Sequence, residues 1–373
     1  MRNLLEKYYN INFYCSYKLQ FFIFRRMLNL FYWLSFSKWK NGYINRCIST
    51  NKRQEAAGMD KGVDVYIVDT GIRTDHEQFG GRATKLYTSI TADGYGANDC
   101  GGHGTSAAGV IGGLDYGVAK EANLYAVRVL NCAGNGNGSD VIDGLQKAVQ
   151  SHHAANLKPA VVNLSIAARS GLFGVSKAIE DVYNDGITVV ASVGNFGMDS
   201  CTHFPAMRPK DKDSMELERD PHVLVVGVVD DSDQAVQSAT QQLPMGGPMK
   251  WDFDYGDCID VFAPGVAIPT TGIASSNEEV LAYGTSIAAA HATGVVATYL
   301  GAHPTAKPSE VMDYIRLQAT GSVVAKAPGF NEPKLLYVGD EMPTSGVQLA
   351  TPYVKRGITQ YTVYKDVVFD LKG

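Results

Sequence analysis

The clearest pattern in the chain is a series of short, almost continuous apolar runs that begins near residue 63. Five such runs cover residues 63–68, 124–130, 160–166, 187–193 and 222–229. Runs of this length that are apolar at successive positions are typical of strands buried on both faces, as in a parallel sheet. The pattern therefore predicts a mostly parallel sheet inside the protein.

Amphipathic stretches separate these runs. After Ser139, which is a residue type suited to cap a helix, apolar side chains recur on one helical face, and residues 172–184 repeat the pattern. Residues 308–318 are a further predicted helix. Strands that alternate with helices predict an α/β fold in which helices cover both faces of the sheet. In such sheets the chemistry lies where strands end and helices begin.

Four of these junctions carry polar side chains that can take part in catalysis. Asp69 ends the first run, His103 opens a small-residue helix, Asn195 follows the run at 187–193, and Ser286 begins an Ala-rich helix. Taken singly, such an Asp or Asn usually forms a turn, and a lone His is more often structural. Together they could supply a nucleophile, a general base, a group that orients the base and an oxyanion donor.

The chain from about residue 56 to residue 339 resembles the subtilases, most closely their proteinase K-like branch. The motifs that carry the resemblance are Asp69-Thr70-Gly71, Gly102-His103-Gly104-Thr105, Ser192-Val193-Gly194-Asn195 and Gly284-Thr285-Ser286. The order Asp, His, Ser is also that of subtilisin itself. The resemblance implies a subtilisin-like three-layer α/β fold and a serine endopeptidase. In that enzyme Asp69 would orient His103, His103 would activate Ser286, and Asn195 would stabilise the oxyanion.

The resemblance also implies a cleft that binds an extended peptide by main-chain hydrogen bonds, which favours unfolded polypeptides over particular sequences. One edge would be Gly134, Asn135 and Gly136, although a flexible Gly-rich loop without a binding role is the alternative. The other edge and the walls of the specificity pocket would be formed by Ser165, Ile166, Ala167, Ser192, Val193 and Gly194. Relatives often carry an aromatic lid where this chain has Gly138.

The chain departs from the family pattern at Ser106, Ala167, Ile287 and Ala290. None of these departures removes a catalytic group. They leave a second hypothesis open, in which the protein is a catalytically impaired, subtilase-like binding protein. An esterase of the α/β-hydrolase fold is excluded, because its serine precedes the Asp and His in the chain.

Six cysteines allow 15 complete pairings by number alone. The resemblance implies two disulfides, Cys100–Cys132 and Cys201–Cys258, and gives no partner for Cys15 or Cys47. Structural disulfides indicate an oxidising compartment, so the sequence predicts a secreted protein.

The resemblance further implies a structural calcium ion. Its ligands would be the carbonyl oxygens of Pro221 and Val223 and the carboxylate of Asp260. The alternative is that Asp260 is an ordinary aspartate in a strand. Catalysis itself is expected to need no cofactor.

Charge divides the chain into two parts. Residues 1–53 hold ten Lys and Arg against one acid, a charge of +9, whereas the remainder has 23 against 37, a charge of −14. The overall charge of −5 provides no basic field for nucleic acid. The first segment lacks both the ~20 apolar residues of a membrane span and the ordered regions of a secretion signal. An unusual or mis-assigned N-terminus, a cryptic export signal and a membrane-surface segment therefore stay open as interpretations.

These observations predict three parts, namely a basic aromatic segment (1–53), a catalytic domain (54–339) and a short C-terminal extension (340–373) with a strand pair over 361–369. Residues 208–219 and 241–254 are predicted to be surface loops. The first segment does not resemble an inhibitory prodomain, so a separate or missing prodomain is expected. The enzyme is expected to be a monomer that acts on polypeptides, without a membrane partner.

Overall fold

A computed structural model describes residues 60–170, 172–242, 248–321, 333–337 and 368–369. The strands in these residues are β1 (Asp64–Asp69), β2 (Ala83–Thr88), β3 (Asn123–Arg128), β4 (Ala160–Leu164), β5 (Ala167–Ala168), β6 (Thr188–Ser192), β7 (Met207–Pro209), β8 (Leu217–Arg219), β9 (Val223–Val229), β10 (Ser238–Gln242), β11 (Pro248–Asp252), β12 (Val261–Pro264), β13 (Ile268–Thr271), β14 (Glu279–Ala282) and β15 (Val368–Phe369). The helices are α1 (His103–Gly112), α2 (Gly138–Ala154), α3 (Phe173–Asn184), α4 (Thr285–Ala302) and α5 (Pro308–Gln318).

The main sheet is parallel and has the strand order β12-β9-β6-β4-β1-β3-β2. The five apolar runs correspond to β1, β3, β4, β6 and β9, each within two residues at either end. The predicted α/β sheet is therefore confirmed. The pattern missed the two outer strands, because β2 is partly exposed and β12 is only four residues long.

Two apolar cores cover the two faces of this sheet. Along β1, Val65 and Ile67 belong to the core that includes residues of α1, α4 and α5. Tyr66 and Val68 belong to the other core, together with residues of α2 and α3. Successive residues of a strand point to opposite faces, so a strand between two cores must be apolar at every position. This arrangement explains the continuous apolar runs.

The predicted helices are confirmed, with one correction at the start of α2. Ser139 lies inside the helix, and Asn137 is the residue that precedes it. The Asp140 carboxylate accepts a hydrogen bond from the Asn137 backbone N–H at 2.9 Å. The prediction of Ser139 as the cap was wrong because Asn137, two residues earlier, is an equally suitable cap residue type.

The two predicted surface loops were also wrong in part, because each contains strand residues. Residues 208–219 overlap the antiparallel pair β7 and β8, and residues 241–254 overlap the pair β10 and β11. Trp251 in the second pair is 4% exposed and stacks on Tyr283. Of the Pro and Gly residues that suggested a loop, Pro248 is the first residue of β11, and the others lie outside the described residues.

Several predictions fall outside the described residues, including the whole segment 1–53 with Cys15 and Cys47. Of residues 340–373, the structure describes Val368–Phe369, which pair in parallel with Ala167–Ala168. Val368–Phe369 therefore pair with β5, and the rest of the strand pair predicted over 361–369 lies outside the described residues. Within the described parts, the helices are too short or too polar to cross a membrane.

Candidate active site

Asp69 and His103 form a direct hydrogen-bonded pair. Asp69 is the last residue of β1 and is fully buried, and His103 is the first residue of α1 and 4% exposed. The Nδ1 atom of His103 lies 2.8 Å from Asp69 Oδ1 and 2.9 Å from Oδ2. Because a carboxylate only accepts hydrogen bonds, Nδ1 carries the proton and donates it. This contact fixes both the tautomer and the orientation of the ring.

The close approach of α1 to the end of β1 depends on Gly104. A Cβ atom at this position would lie 2.2 Å from the Gly71 carbonyl oxygen and 3.1 Å from the Asp69 side chain. The backbone N–H of Gly104 donates to Thr70 Oγ1 at 2.9 Å. The glycine beside His103 is therefore required for the helix to sit against the aspartate.

A second aspartate, Asp99, holds the turn before α1. Its Oδ1 accepts from the N–H groups of Gly101 and Gly102, and its Oδ2 accepts from the N–H and the hydroxyl of Thr105, at 2.6–2.9 Å. Burial raises the pKa of Asp99, and the hydrogen bonds from Thr105 and Gly102 act in the opposite direction. The sequence analysis did not identify this residue, although an acid four positions before His103 was a signal for it.

Ser286 is the second residue of α4 and is 3% exposed. Its Oγ donates toward the Ser165 carbonyl oxygen at 3.5 Å, and the Ser165 hydroxyl donates to the Ser286 carbonyl oxygen at 3.2 Å. Ser165 directly follows β4, so these contacts anchor the start of α4 at the end of that strand. Asn163 Nδ2 donates to the Ser165 hydroxyl at 2.9 Å and extends the anchor into β4.

Asn195 is connected to the same helix start. Its side-chain Oδ1 accepts from the Thr285 backbone N–H at 3.1 Å, and the Gly194 N–H lies 3.2 Å from Thr285 Oγ1. The contact from a backbone donor assigns the oxygen of the amide to this side. The Nδ2 group of Asn195 is therefore the opposite end of the amide, which can only donate.

The strand order brings these groups to one edge of the sheet. Asp69 ends β1, Ser165 follows β4, and Asn195 follows β6, and these strands are neighbours in the order β6-β4-β1. Neighbouring strands are ~4.8 Å apart, and in a parallel sheet their carboxyl ends share one edge. Asp69 therefore pairs with His103, and at the same edge Asn195 contacts Thr285 while Ser286 contacts Ser165.

The first predicted cleft edge follows β3. The Gly134 N–H donates to the Asn131 carbonyl oxygen, and the Asn135 carbonyl oxygen accepts from the Asn131 N–H, both at 2.9 Å. These two main-chain groups therefore belong to a turn and not to a free edge. Gly136 lies against the Val129 carbonyl oxygen, 2.4 Å from the position of a Cβ atom.

The second predicted edge, Ser165 to Ala167, is buried and already has neighbours. Ala167 is paired with Val368, and Ala168 is paired with Phe369 and bridged on its other side to Phe204. On the pocket wall after β6, Gly194 has a φ of 123°, which a residue with a side chain rarely adopts. Because Ala167 pairs with Val368, the backbone at this end of the predicted cleft is already paired with β15.

Both disulfides implied by the resemblance are confirmed. Cys100–Cys132 connects the turn before His103 to the first cleft edge, and Cys201–Cys258 connects two segments beyond β6 and β11. The buried Arg128 donates to Asp93 and lies 3.2 Å from Cys100 Sγ. The hydrogen bond from Arg128 lowers the pKa of the Asp93 carboxyl. Asp93, Cys100 and Cys132 are close enough for a metal site, but the disulfide occupies the thiol ligands.

The carboxylate implied for calcium binding, that of Asp260, binds two arginines. The Oδ2 atom of Asp260 accepts from Arg219 Nη2 at 2.6 Å, and Oδ1 accepts from Arg316 Nε at 3.1 Å. The Arg219 guanidinium also donates to the Asp220 carbonyl oxygen at 2.7 Å. Both carboxylate oxygens of Asp260 therefore face cationic groups.

This arrangement does not fit the predicted calcium site at Pro221, Val223 and Asp260. Calcium needs oxygen lone pairs directed at the ion, and here the lone pairs of Asp260 receive N–H groups. A guanidinium at hydrogen-bonding distance also repels a cation. Arg219 supplies the positive charge that the prediction assigned to calcium. In the sequence, Arg219 stood out only as part of a charged loop.

With this geometry in place, comparison with known proteins identifies the class. The sequence pattern of the subtilase family matches residues 60–340. The chain belongs to the subtilase family.

Individual relatives agree with this assignment. The chain is similar to an "Extracellular serine proteinase" of Thermus sp. (strain Rt41A), with 37% identity over 292 residues, which are 78% of this chain and 63% of the relative. It is similar to "Alkaline serine exoprotease A" of Vibrio alginolyticus, with 34% identity over 278 residues, which are 74% of this chain and 45% of the relative. The chain thus spans roughly half to two thirds of the length of these curated relatives.

A solved structure shows the same fold. The crystal structure of "a cold adapted subtilisin-like serine proteinase" superimposes with a TM-score of 0.64 at 31% identity, and the match covers 76% of this chain and 90% of that one. The subtilisin-like fold implied by the sequence motifs is therefore confirmed.

Proposed function

We propose that the protein is a serine endopeptidase that hydrolyses peptide bonds of extended polypeptides. The observation that supports this most strongly is the contact of His103 Nδ1 with both carboxylate oxygens of Asp69, at 2.8 and 2.9 Å. It places a buried imidazole in a fixed tautomer on the sheet edge that also carries Ser286 and Asn195. The names of the relatives, which include serine proteinases, agree with this chemistry.

In the proposed reaction, Ser286 Oγ attacks the carbonyl carbon of the scissile peptide bond. A serine hydroxyl is a weak nucleophile at neutral pH, so His103 Nε2 takes its proton as the new C–O bond forms. The imidazolium then gives this proton to the leaving amine as the C–N bond breaks. Water repeats the sequence on the acyl-enzyme, and Asp69 stabilises the charged ring in both steps.

Asn195 supplies the electrostatic contribution. The Oδ1 contact with the Thr285 N–H leaves Nδ2 as the donor end of the amide. We assign this donor, together with the backbone N–H of Ser286 at the start of α4, to the oxygen of the tetrahedral intermediate. Donors held in place before the reaction stabilise developing charge without reorganisation.

The substrate is proposed to lie along the residues that follow β4, with Ser165, Ile166 and Ala167 on one side and Gly134, Asn135 and Gly136 on the other. Ser192, Val193 and Gly194 complete the pocket for the residue before the scissile bond. Because Ala167 is paired with Val368, a bound peptide competes with β15 for this backbone.

We further propose secretion, which is supported by two disulfides and by a relative named extracellular.

The alternative is a subtilase-like binding protein that has lost turnover. Of the residues that suggested it, which include Ala167, Ile287 and Ala290 are buried in the core that lies between α4 and the sheet. Their side chains therefore change the packing beneath the helix and not the groups that react.

The test is the cleavage of unfolded reduced casein, followed by mass spectrometry, with the wild type and Ser286→Ala. We expect internal cleavage by the wild type only. Cleavage that persists in S286A, or a folded wild type that binds casein without cleaving it, would favour the alternative.

A further inference from the structure

A second buried pair of a histidine and an aspartate lies behind Asn195. His203 follows the disulfide-bonded Cys201, and Asp254 follows β11. His203 Nε2 lies 2.9 Å from Asp254 Oδ2, and both side chains are completely buried. Neither residue belongs to the proposed reaction, although burial of such a pair is costly unless it is well satisfied.

Asp254 binds the backbone on both sides of Asn195. Its own N–H donates to the Gly194 carbonyl oxygen at 3.1 Å. Its Oδ1 accepts from the N–H groups of Phe196 and Met198 at 2.9 and 2.8 Å. One aspartate therefore makes three hydrogen bonds to the segment that presents Asn195.

Gly194 allows this approach. A Cβ atom on Gly194 would lie 2.1 Å from Asp254 Oδ2, and the φ of this residue is 123°. No other residue type is compatible with both the contact and the backbone angle. The sequence motif before Asn195 is thus matched to an acid that is 60 residues further along the chain.

His203 is bound at both ring nitrogens. Besides Asp254, Nε2 faces the Val193 carbonyl oxygen at 3.3 Å, and Nδ1 faces the Asp199 carbonyl oxygen at 3.1 Å. Nδ1 also lies 3.3 Å from Thr202 Oγ1, whose own proton is donated to the Asp199 carbonyl oxygen. Nε2 therefore carries a proton and donates it to Asp254, and both ring nitrogens are held by neighbouring polar atoms.

From this geometry we propose that His203 and Asp254 are positioning residues for Asn195. The His203 ring holds Asp254 through Nε2, and Asp254 holds residues 194–198 so that the Asn195 amide stays aimed at the oxyanion. The inference rests on the proposed function, because it assigns the pair a purpose in that reaction. It differs from a purely structural role, in which the pair would stabilise the fold without affecting transition-state binding.

The kinetic test uses His203→Gln, which keeps one donor for Asp254, and His203→Phe, which keeps none. We expect kcat to fall by about tenfold in H203Q and by about 100-fold in H203F, with KM within twofold, because small displacements of a transition-state donor act on kcat.

His152→Gln is the matched control. His152 is also a buried histidine bound to an aspartate, Asp185, at 3.0 Å, and it lies in the last turn of α2. H152Q is expected to keep kcat within twofold, and an equal loss in H152Q and H203Q would overturn the proposal.

A double-mutant cycle tests whether the effect passes through Asn195. In an Asn195→Ala background, H203Q should change kcat by less than twofold, because there is no donor left to aim. The full tenfold loss in that background would show that His203 acts elsewhere and would overturn the proposal.

Amide hydrogen exchange gives a readout that does not depend on activity. In the inactive S286A background, H203Q should speed exchange at Phe196 and Met198 at least tenfold, with no change at residues of α2. Unchanged exchange at these two amides would overturn the proposal. A wild type without peptidase activity would instead refute the proposed function, while the exchange result would still decide whether the pair holds the segment.

Discussion

Two buried pairs of a histidine and an aspartate lie near the same edge of the main sheet, one at the end of β1 and the other behind the segment that follows β6, and they differ in the partners of the ring. His103 contacts Asp69 through Nδ1, with both carboxylate oxygens at 2.8 and 2.9 Å. His203 has acceptors at both nitrogens, namely Asp254 and Val193 at Nε2 and Asp199 at Nδ1. A ring oriented by a carboxylate at one nitrogen can act as a general base through the other, whereas contacts such as those of His203, with backbone and side-chain atoms at both nitrogens, are suited to fix the surroundings of the ring.

The difference shows that burial and an acidic partner do not identify a catalytic histidine. His103 opens a helix of small residues on the edge where Ser286 begins α4. His203 lies behind the segment that carries Asn195, and its acceptors leave it no proton to exchange without breaking a contact. Position on the sheet edge and the set of ring partners separate the two functions.

The largest effect that separates the pairs is expected from Asp69→Asn. The amide would favour the wrong tautomer of His103, and kcat should fall by ~10⁴, the size of the loss known for this change in a Ser-His-Asp protease. Asp254→Asn should lower kcat by no more than ~10², as expected for a displaced donor. Both values come from steady-state hydrolysis of a chromogenic peptide, and equal losses would contradict the distinction between the pairs.

The next largest effect is expected at the residue that the second pair positions. Asn195→Ala should lower kcat by ~10²–10³ with little change in KM, a range taken from subtilisin, where the equivalent donor was removed. Asn184→Ala, on the exposed end of α3, is the control and should keep wild-type kinetics. A rise in KM with an unchanged kcat in N195A would show that Asn195 binds the ground state and not the transition state.

A smaller effect, on stability alone, is expected at a third charged cluster, which serves as a structural reference for the two pairs. Arg219→Ala removes a partly exposed ion pair to Asp260 and should lower the free energy of unfolding by ~1–3 kcal/mol without changing kcat. Urea denaturation measures this change. Because Arg219 and Arg316 bind the Asp260 carboxylate, a chelator should shift the wild-type melting temperature by less than about 2 °C, since ~1 kcal/mol corresponds to a few degrees in a domain of this size. A large shift would restore the calcium prediction.

The smallest effect is expected from removal of residues 340–373, which leaves both histidine pairs intact. Loss of the pairing between Val368 and Ala167 should lower KM a few-fold and leave kcat unchanged, because only substrate binding competes with β15. A fall in kcat would contradict this prediction and would show that the extension supports the proposed catalytic groups. Steady-state hydrolysis of the same peptide provides the measurement.

The sequence predicted the parts of the protein that depend on local patterns. Apolar runs located β1, β3, β4, β6 and β9, because a strand buried on both faces needs apolar side chains throughout. The resemblance to the subtilases also implied the pairing of His103 with Asp69, and the two side chains are in contact.

Long-range partners were beyond such patterns. Asp254 acts on Gly194 from a hairpin 60 residues away, and Arg219 faces Asp260 across 41 residues. A charged residue in a stretch that resembles a loop does not reveal which distant group it contacts, so the second pair and the arginine partners of Asp260 were missed.

The most direct test of the account is covalent labelling of the folded wild type with a fluorophosphonate, which reacts only with an activated serine. Mass spectrometry should locate one label, on Ser286, and the labelling rate should fall by at least ~10³ in D69N and far less in D254N. A folded protein that takes no label, that is labelled at another residue, or that loses reactivity equally in the two variants would contradict the account.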